Sequence, residues 1–230
     1  MGLAVYERSL YLSILFASQK HTVAIIPALL DDIYPRTYSA STSPRPKSTN
    51  HLHISLLVSL INHLVTQYPS QILYRQQHAS LPRDWIPIPT SEWLNSLTRS
   101  LRSGNYYKIG ILTDEKYMMQ TLQLHMHADT SEAGIHTQFH NNLSVRAFRI
   151  AIDSLLAKVR VTSWRIVKSA YRELWFEELY NTRRWLCDSL VMDSPRSSER
   201  FEKWLAGAEK LNELRRKEGT QGRWIIMKVR

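Results

Sequence analysis

Between His51 and Tyr68 the apolar residues Leu52, Leu56, Leu57, Leu60, Ile61, Leu64 and Val65 recur at steps of three and four. That spacing puts them on one face of an α-helix. The same period returns along most of the 230-residue chain: twice between residues 6 and 34, then in the sets Trp93, Leu94, Leu97, Leu101 and Phe148, Ile152, Leu155, Leu156. Alternation with period two occurs only at the end, where Trp224, Ile226 and Lys228 alternate with Ile225, Met227 and Val229 beyond Gly219 and Gly222. A chain patterned this way buries its apolar stripes helix against helix. The expected class is all-α in the main, stacked short helices closed by one late strand.

Start and stop signals divide the chain. Residues 1–34 give two N-terminal helices ending at Tyr34-Pro35. The segment 35–50, with three prolines and seven Ser or Thr, reads as a loop or disordered insertion. Residues 51–143 read as a helical array. Within it 81–90 (LPRDWIPIPT) is an extended connector, Thr90 or Ser91 caps the next helix, and Ser103-Gly104-Asn105 stops it. Short helices are expected over 106–112 and 115–127, and a polar loop over 125–142. The region 144–230 then holds a helix over 145–159, one capped by Thr162 or Ser163, one from Thr182 to Met192, and one from Ser197 or Ser198 to about Lys217.

No stretch approaches the roughly 18–20 apolar residues that cross a bilayer, so no membrane partner is expected. Leu10 to Ala17 loosely imitates a secretory leader. Glu7 sits where such a leader is basic, however, and the helical pattern continues to Leu30. A buried helix and an intracellular protein are the expectation. The single cysteine, Cys187, lies among Trp185, Leu186, Leu190 and Val191, the setting of a buried structural thiol.

Chemistry-bearing constellations are few. His125, His127, His136 and His140, with Asp129 and Glu132 between them, offer imidazole and carboxylate ligands for a divalent metal, but match no established ligand frame. A histidine-rich polar loop is the plainer reading, and neither metal nor cofactor is expected. No G-x-S-x-G, G-x-G-x-x-G or phosphate-cradling loop occurs. No active site is expected.

Charge is the informative quantity. The chain has 30 Lys and Arg against 20 Asp and Glu, a net of +10. Residues 1–143 have 11 basic and 9 acidic side chains, whereas 144–230 have 19 and 11. A surplus in one terminal third suits an anionic polymer. The candidate phosphate-contacting residues are Arg146, Arg149, Arg165, Lys168, Arg172, Arg183, Arg184 and Arg223, with Arg165, Lys168 and Arg172 on one helical face. Among the aromatics interleaved with them (Trp164, Tyr171, Trp175, Phe176, Trp224), most fit a core face. Trp224 is the expected exposed one, on a wing strand after a basic turn.

The stretch Leu97-Thr98-Arg99-Ser100-Leu101-Arg102-Ser103-Gly104-Asn105-Tyr106-Tyr107, followed some forty residues later by Val145-Arg146-Ala147-Phe148-Arg149-Ile150-Ala151-Ile152, resembles the GANP/Sac-three family. That family belongs to the PCI class of helical scaffolds. The family's usual aromatic pair after Gly-Asn-Tyr is replaced here by Lys108-Ile109, and the helix after Ser194 reads longer than the family's. The likeness spans roughly residues 52–230, with Val161 to Trp175 where the family begins its winged helix. It implies a winged-helix-like module over 144–230 and a non-enzymatic adaptor subunit of a nuclear complex of the messenger-RNA export type, with cytoplasmic residence as the alternative. Protein partners would dock on the helical array and RNA or DNA on the basic module. Two other readings stand beside it: a metal-dependent enzyme using the 125–140 histidines, and an assembly subunit of the proteasome-lid kind without nucleic-acid affinity.

Overall fold

A computed structural model describes residues 2–39, 49–122, 134–175, 180–192, 198–220 and 222–227. Helix predominates, and a small antiparallel sheet lies near the C-terminus. The chain divides into two compact units, one of residues 1–95 and 115–155, the other of 96–114 and 156–230. The sheet-bearing unit thus begins later than residue 144 and also takes in the Gly-Asn-Tyr segment around residue 105.

Unit 1 opens with α1 (Gly2–Leu15) and α2 (Gln19–Pro27), continues through a π-helical turn (Ala28–Ile33) and α3 (Tyr34–Ser39), and resumes with α4 (Thr49–Gln67) and α5 (Ile72–Ser80). The expected loop at 35–50 is helical over 35–39 and again from Thr49. Pro35 sits at the second position of α3, which continues directly from the π-helical turn; residues 40–48 lie outside the described residues. A one-turn 3₁₀ segment (Arg83–Trp85) precedes α6 (Ile88–Ser103). The latter starts before the expected caps, with Pro89 in its first turn. Thr90 is instead buried, its hydroxyl 2.7 Å from His53 Nε2. α4 supplies the centre of the core: Leu56, Leu57, Leu60, Ile61 and Leu64 are all essentially inaccessible. A polar network lies beside it, in which the Tyr34 hydroxyl donates to Glu7 at 2.8 Å and the Tyr11 and Ser55 hydroxyls share a hydrogen bond. Burial raises the Glu7 carboxyl and the Tyr34 phenol above their ordinary values, and lowers His53 to about 4. Unit 1 also holds α8 (Glu115–Thr121), after α7 (Tyr106–Leu112) of the other unit.

The helix α9 (Gly134–Ala170) is continuous. The expected polar loop is therefore helical over 134–142, and Thr162 and Ser163 cap nothing. Their hydroxyls donate to the Lys158 and Ser189 carbonyls from mid-helix.

Unit 2 runs from the last turns of α9 into β1 (Glu173–Trp175), α10 (Tyr180–Ser189), α11 (Ser198–Lys210), β2 (Leu214–Arg216) and β3 (Arg223–Ile226). β3 lies between β1 and β2, antiparallel to both. Along unit 2 the order is helix, strand, two helices and then two strands, with the three strands in one antiparallel sheet. Its core gathers Trp164, Val167, Leu174, Leu186, Cys187, Leu190, Phe201, Leu205, Leu214, Trp224 and Ile226. The final helix is shorter than expected. Leu211 to Glu213 turn the chain, and Leu214-Arg215-Arg216 form a strand instead of a helix end. Two of the three strands were unforeseen because each is only three residues long, too short to show alternation.

Several helices end with an N–H two or three residues past the end bonded back five residues: Ser18 to Ser13, Asn105 to Ser100, Met192 to Cys187 and Glu213 to Ala208. The left-handed residue this closure needs is glycine at Gly104 (φ +65°), but Ala17, Val191 and Asn212 elsewhere (φ 50°, 49° and 53°).

Candidate nucleic-acid interface

Redrawn along the two units, the charge separates further. Unit 1 has 10 basic and 9 acidic residues, and unit 2 has 20 and 11, so unit 2 carries nine of the ten net charges.

The residues expected to contact phosphate fall into distinct settings. Arg146 and Arg149 lie on the part of α9 that belongs to unit 1. Arg146 is exposed, and Arg149 is paired with Glu115. Lys168 is paired with Glu213, which also accepts from Trp164 Nε1 at 2.7 Å, and its ammonium stands 5.8 Å from the Trp164 ring centre. These two donors hold the Glu213 carboxyl below its ordinary value against the opposing effect of its partial burial. Arg183 reaches Glu202 at 2.8 Å and lies over the Phe201 ring at 4.5 Å. Arg184 is exposed, 4.0 Å from Asp188. Arg165 and Arg172 are exposed, but α9 ends at Ala170, so Arg172 lies beyond the helix and the expected three-residue face does not form.

Trp224 is a correction. It is 5% exposed and forms part of the core, opposite Leu174 on β1 and Arg216 on β2. With Ile226 it is the inward half of the β3 alternation; Arg223 and Ile225 are the outward half.

The outward face joins Arg223 to Trp175, one of the aromatics whose spacing fits a core face. Trp175 is opposite Arg223, Glu173 opposite Ile225, and Arg215 opposite Ile225 from the other edge. Trp175 is 44% exposed, with the Arg223 guanidinium 5.8 Å from its ring centre. Glu173 receives Lys217 Nζ at 3.1 Å and Arg223 Nε at 2.7 Å. The hydrogen bond from Lys217 is the largest influence lowering its carboxyl pKa. Beyond Lys217, whose N–H bonds to the Arg223 carbonyl at 2.9 Å, the wing turns through Gly219 (φ +76°), and Arg216, Lys217, Glu218, Gly219 and Thr220 line a shallow hollow at its tip. The signal for this hairpin was present. Arg215-Arg216-Lys217 precedes Glu218-Gly219-Thr220-Gln221-Gly222, so a basic strand and a glycine turn stand directly before the terminal alternation.

Of the proposed metal ligands, His125, His127, Asp129 and Glu132 lie outside the described residues, and His136 and His140 fall in the opening turns of α9. Among the described residues no three His, Cys, Asp or Glu cluster as a metal site. Cys187 is fully buried, and desolvation pushes its thiol up to about 11. Among the described residues no helix is long and apolar enough to cross a membrane. Compared with protein-family models, curated proteins and solved structures, the chain matches none.

Proposed function

We propose that this protein is a non-enzymatic adaptor subunit of a nuclear complex, resembling the GANP/Sac-three proteins of messenger-RNA export. In this reading it holds protein partners through unit 1 and nucleic acid through unit 2. The observation that carries it is the coincidence in unit 2 of winged-helix-like strand and helix order with nine of the ten net positive charges. Cations so placed gain affinity by displacing the counterions condensed on a polyanion. Partner docking on unit 1 draws support from α1. Its outer side exposes Val5 and Leu12, seven residues apart on one face, and Phe16 in the turn just past its end is 78% exposed.

A second reading, an assembly subunit without nucleic-acid affinity, is favoured by one observation. Arg149, Lys168, Arg183 and Arg223 already have carboxylate partners. Measuring binding of the whole chain to RNA of mixed sequence over a salt series separates the two. Under the adaptor reading log Kd rises steeply with log salt, by roughly 0.7–0.9 for each phosphate neutralised. A salt-independent Kd, or no binding at low salt, removes it.

A further inference from the structure

We infer that unit 2 takes single-stranded nucleic acid across the outer face of its sheet, with Trp175 as a stacking platform, and does not read a duplex with α11. This rests on the nucleic-acid reading of unit 2 and specifies its ligand.

In a helix-turn-helix arrangement the second helix of the pair enters the major groove. Here that helix is α11. Its exposed side chains include Glu199, Glu202 and Glu209 as well as Arg200, Lys203 and Lys210, so it is neutral overall. Lys203 is engaged by Glu199 at 2.7 Å, and Glu202 by Arg183 at 2.8 Å. A groove walled by phosphates on both sides would bring three carboxylates close to its charge. The three cations of the helix do no more than cancel that charge, so it gains no net attraction to the groove.

The outer face of the sheet has the opposite make-up. Leu174, Trp224, Leu214 and Ile226 turn inward, which leaves Trp175, Arg223, Ile225 and Arg215 on the other side, with Glu173 the one carboxylate among them. Trp175 presents a half-exposed ring, and Arg223 beside it adds a cation to the same platform. Stacking on an aromatic ring suits any unpaired base, because every base has a π-face, whereas paired bases are already stacked. Phosphates on either side would meet Arg215, 67% exposed, and the Lys217 and Arg223 heads that now share Glu173. The ion pair of Arg215 with Glu218, both largely exposed, contributes little and yields readily to a phosphate.

The test compares fluorescein-labelled oligouridine with a mixed-sequence RNA duplex of equal length, using the whole chain, with Trp175→Ala and Trp175→Phe variants. Tighter binding of oligouridine than duplex is expected. Trp175→Ala should weaken oligouridine binding about 5- to 150-fold, while Trp175→Phe keeps most of it. Ultraviolet crosslinking of oligouridine to the unaltered protein should map to the peptide bearing Trp175, an outcome independent of how any variant folds. Preference for the duplex, an unchanged Kd in Trp175→Ala, or crosslinks confined to other peptides would overturn this inference while leaving unit 2 a nucleic-acid binder. Failure to bind either RNA overturns both readings and leaves the face to a protein ligand.

Discussion

Unit 1 and unit 2 handle their polar groups in opposite ways. Unit 1, nearly neutral, takes polar side chains inside: Glu7, Tyr11, Tyr34, Ser55, His53 and Thr90 are buried and hydrogen-bonded to one another. Unit 2 keeps its ionic groups at or near the surface, where Glu173, Glu202 and Glu213 each receive cations. Among the described residues its buried polar side chains are the hydroxyls of Thr98, Ser100 and Ser163, with no buried charge. Buried hydrogen-bonded groups fix one arrangement and respond to pH, because ionising them means placing charge in a low-dielectric interior. Exposed pairs contribute little to stability and respond to salt. Unit 1 should therefore answer chiefly to pH and unit 2 chiefly to salt.

The largest expected effect tests whether the units are energetically separate. Trp224→Ala should remove about 3–5 kcal/mol by opening a cavity in the unit 2 core. Amide exchange should then speed up in β1, β2 and β3 while α4 keeps its protection. Equal loss of protection in α4 would mean that the two units unfold as one and would break the comparison.

Acidification comes next. His53 is held neutral in the fold, at about 4 against an ordinary 6.5, so the unfolded chain binds the proton first. Its contribution is complete above about pH 6.5 and is lost as pH falls toward 4, on the order of 3 kcal/mol in all. Burial lowers His63 and His78 in the same direction. Glu7, raised in the fold, opposes them, since its protonation relieves a buried charge. Glu173 and Glu213 are lowered, so their contributions persist until pH drops below the ordinary carboxylate value of 4.5. Between pH 6.5 and 4.5 unit 1 should therefore weaken first, seen as earlier loss of exchange protection in α4 than in the sheet. Simultaneous loss would sink the contrast.

Binding gives the third test. Reversing Arg165, Arg172 and Arg215 to Glu should weaken RNA binding at least about tenfold and flatten its salt dependence. The Arg146→Glu change, in unit 1, should alter Kd by less than about twofold, because charge outside the footprint acts only through screened solvent. An equal loss from Arg146→Glu would extend the footprint across both units. The smallest effect is expected from Glu173→Gln. Removing the carboxylate that engages Lys217 and Arg223 frees two cations, and oligouridine binding should tighten by about two- to threefold with the melting temperature nearly unchanged.

What the sequence could disclose follows the range of each signal. The helix read over 51–68, found at 49–67, is plain because about five turns repeat one stripe, and the stop at Gly104 because its left-handed φ suits glycine. The terminal strand was readable from four alternating residues whose inward pair proved to be Trp224 and Ile226. The direction of that alternation was not. Which half of a two-residue period faces inward is set by the helices packed against it, so Trp224 was assigned to solvent and Trp175 was left among the core aromatics. Pairing was equally hidden. Lys168 finds Glu213 and Arg223 finds Glu173 across separations of 45 and 50 residues, and helical spacing says nothing about either. The continuous α9 reads as two helices in the sequence because Thr162 and Ser163 serve equally as caps or as mid-helix donors to carbonyls.

The left-handed residues at three helix ends carry a further consequence. An L-residue there meets its own carbonyl at a cost of about 1–2 kcal/mol. Ala17, Val191 and Asn212 thus hold a total comparable to a sizeable part of a small domain's net stability. Val191 is the most constrained, being β-branched. It is kept in place by its own burial and by the Arg160 guanidinium, which donates twice to its carbonyl at 3.2 and 3.3 Å. Arg160 is therefore a cation withdrawn from the charged surface and spent as a splint on the backbone between α10 and α11. The positive charge of unit 2 does not all stand free at the surface, and part of it braces the backbone just past the end of α10.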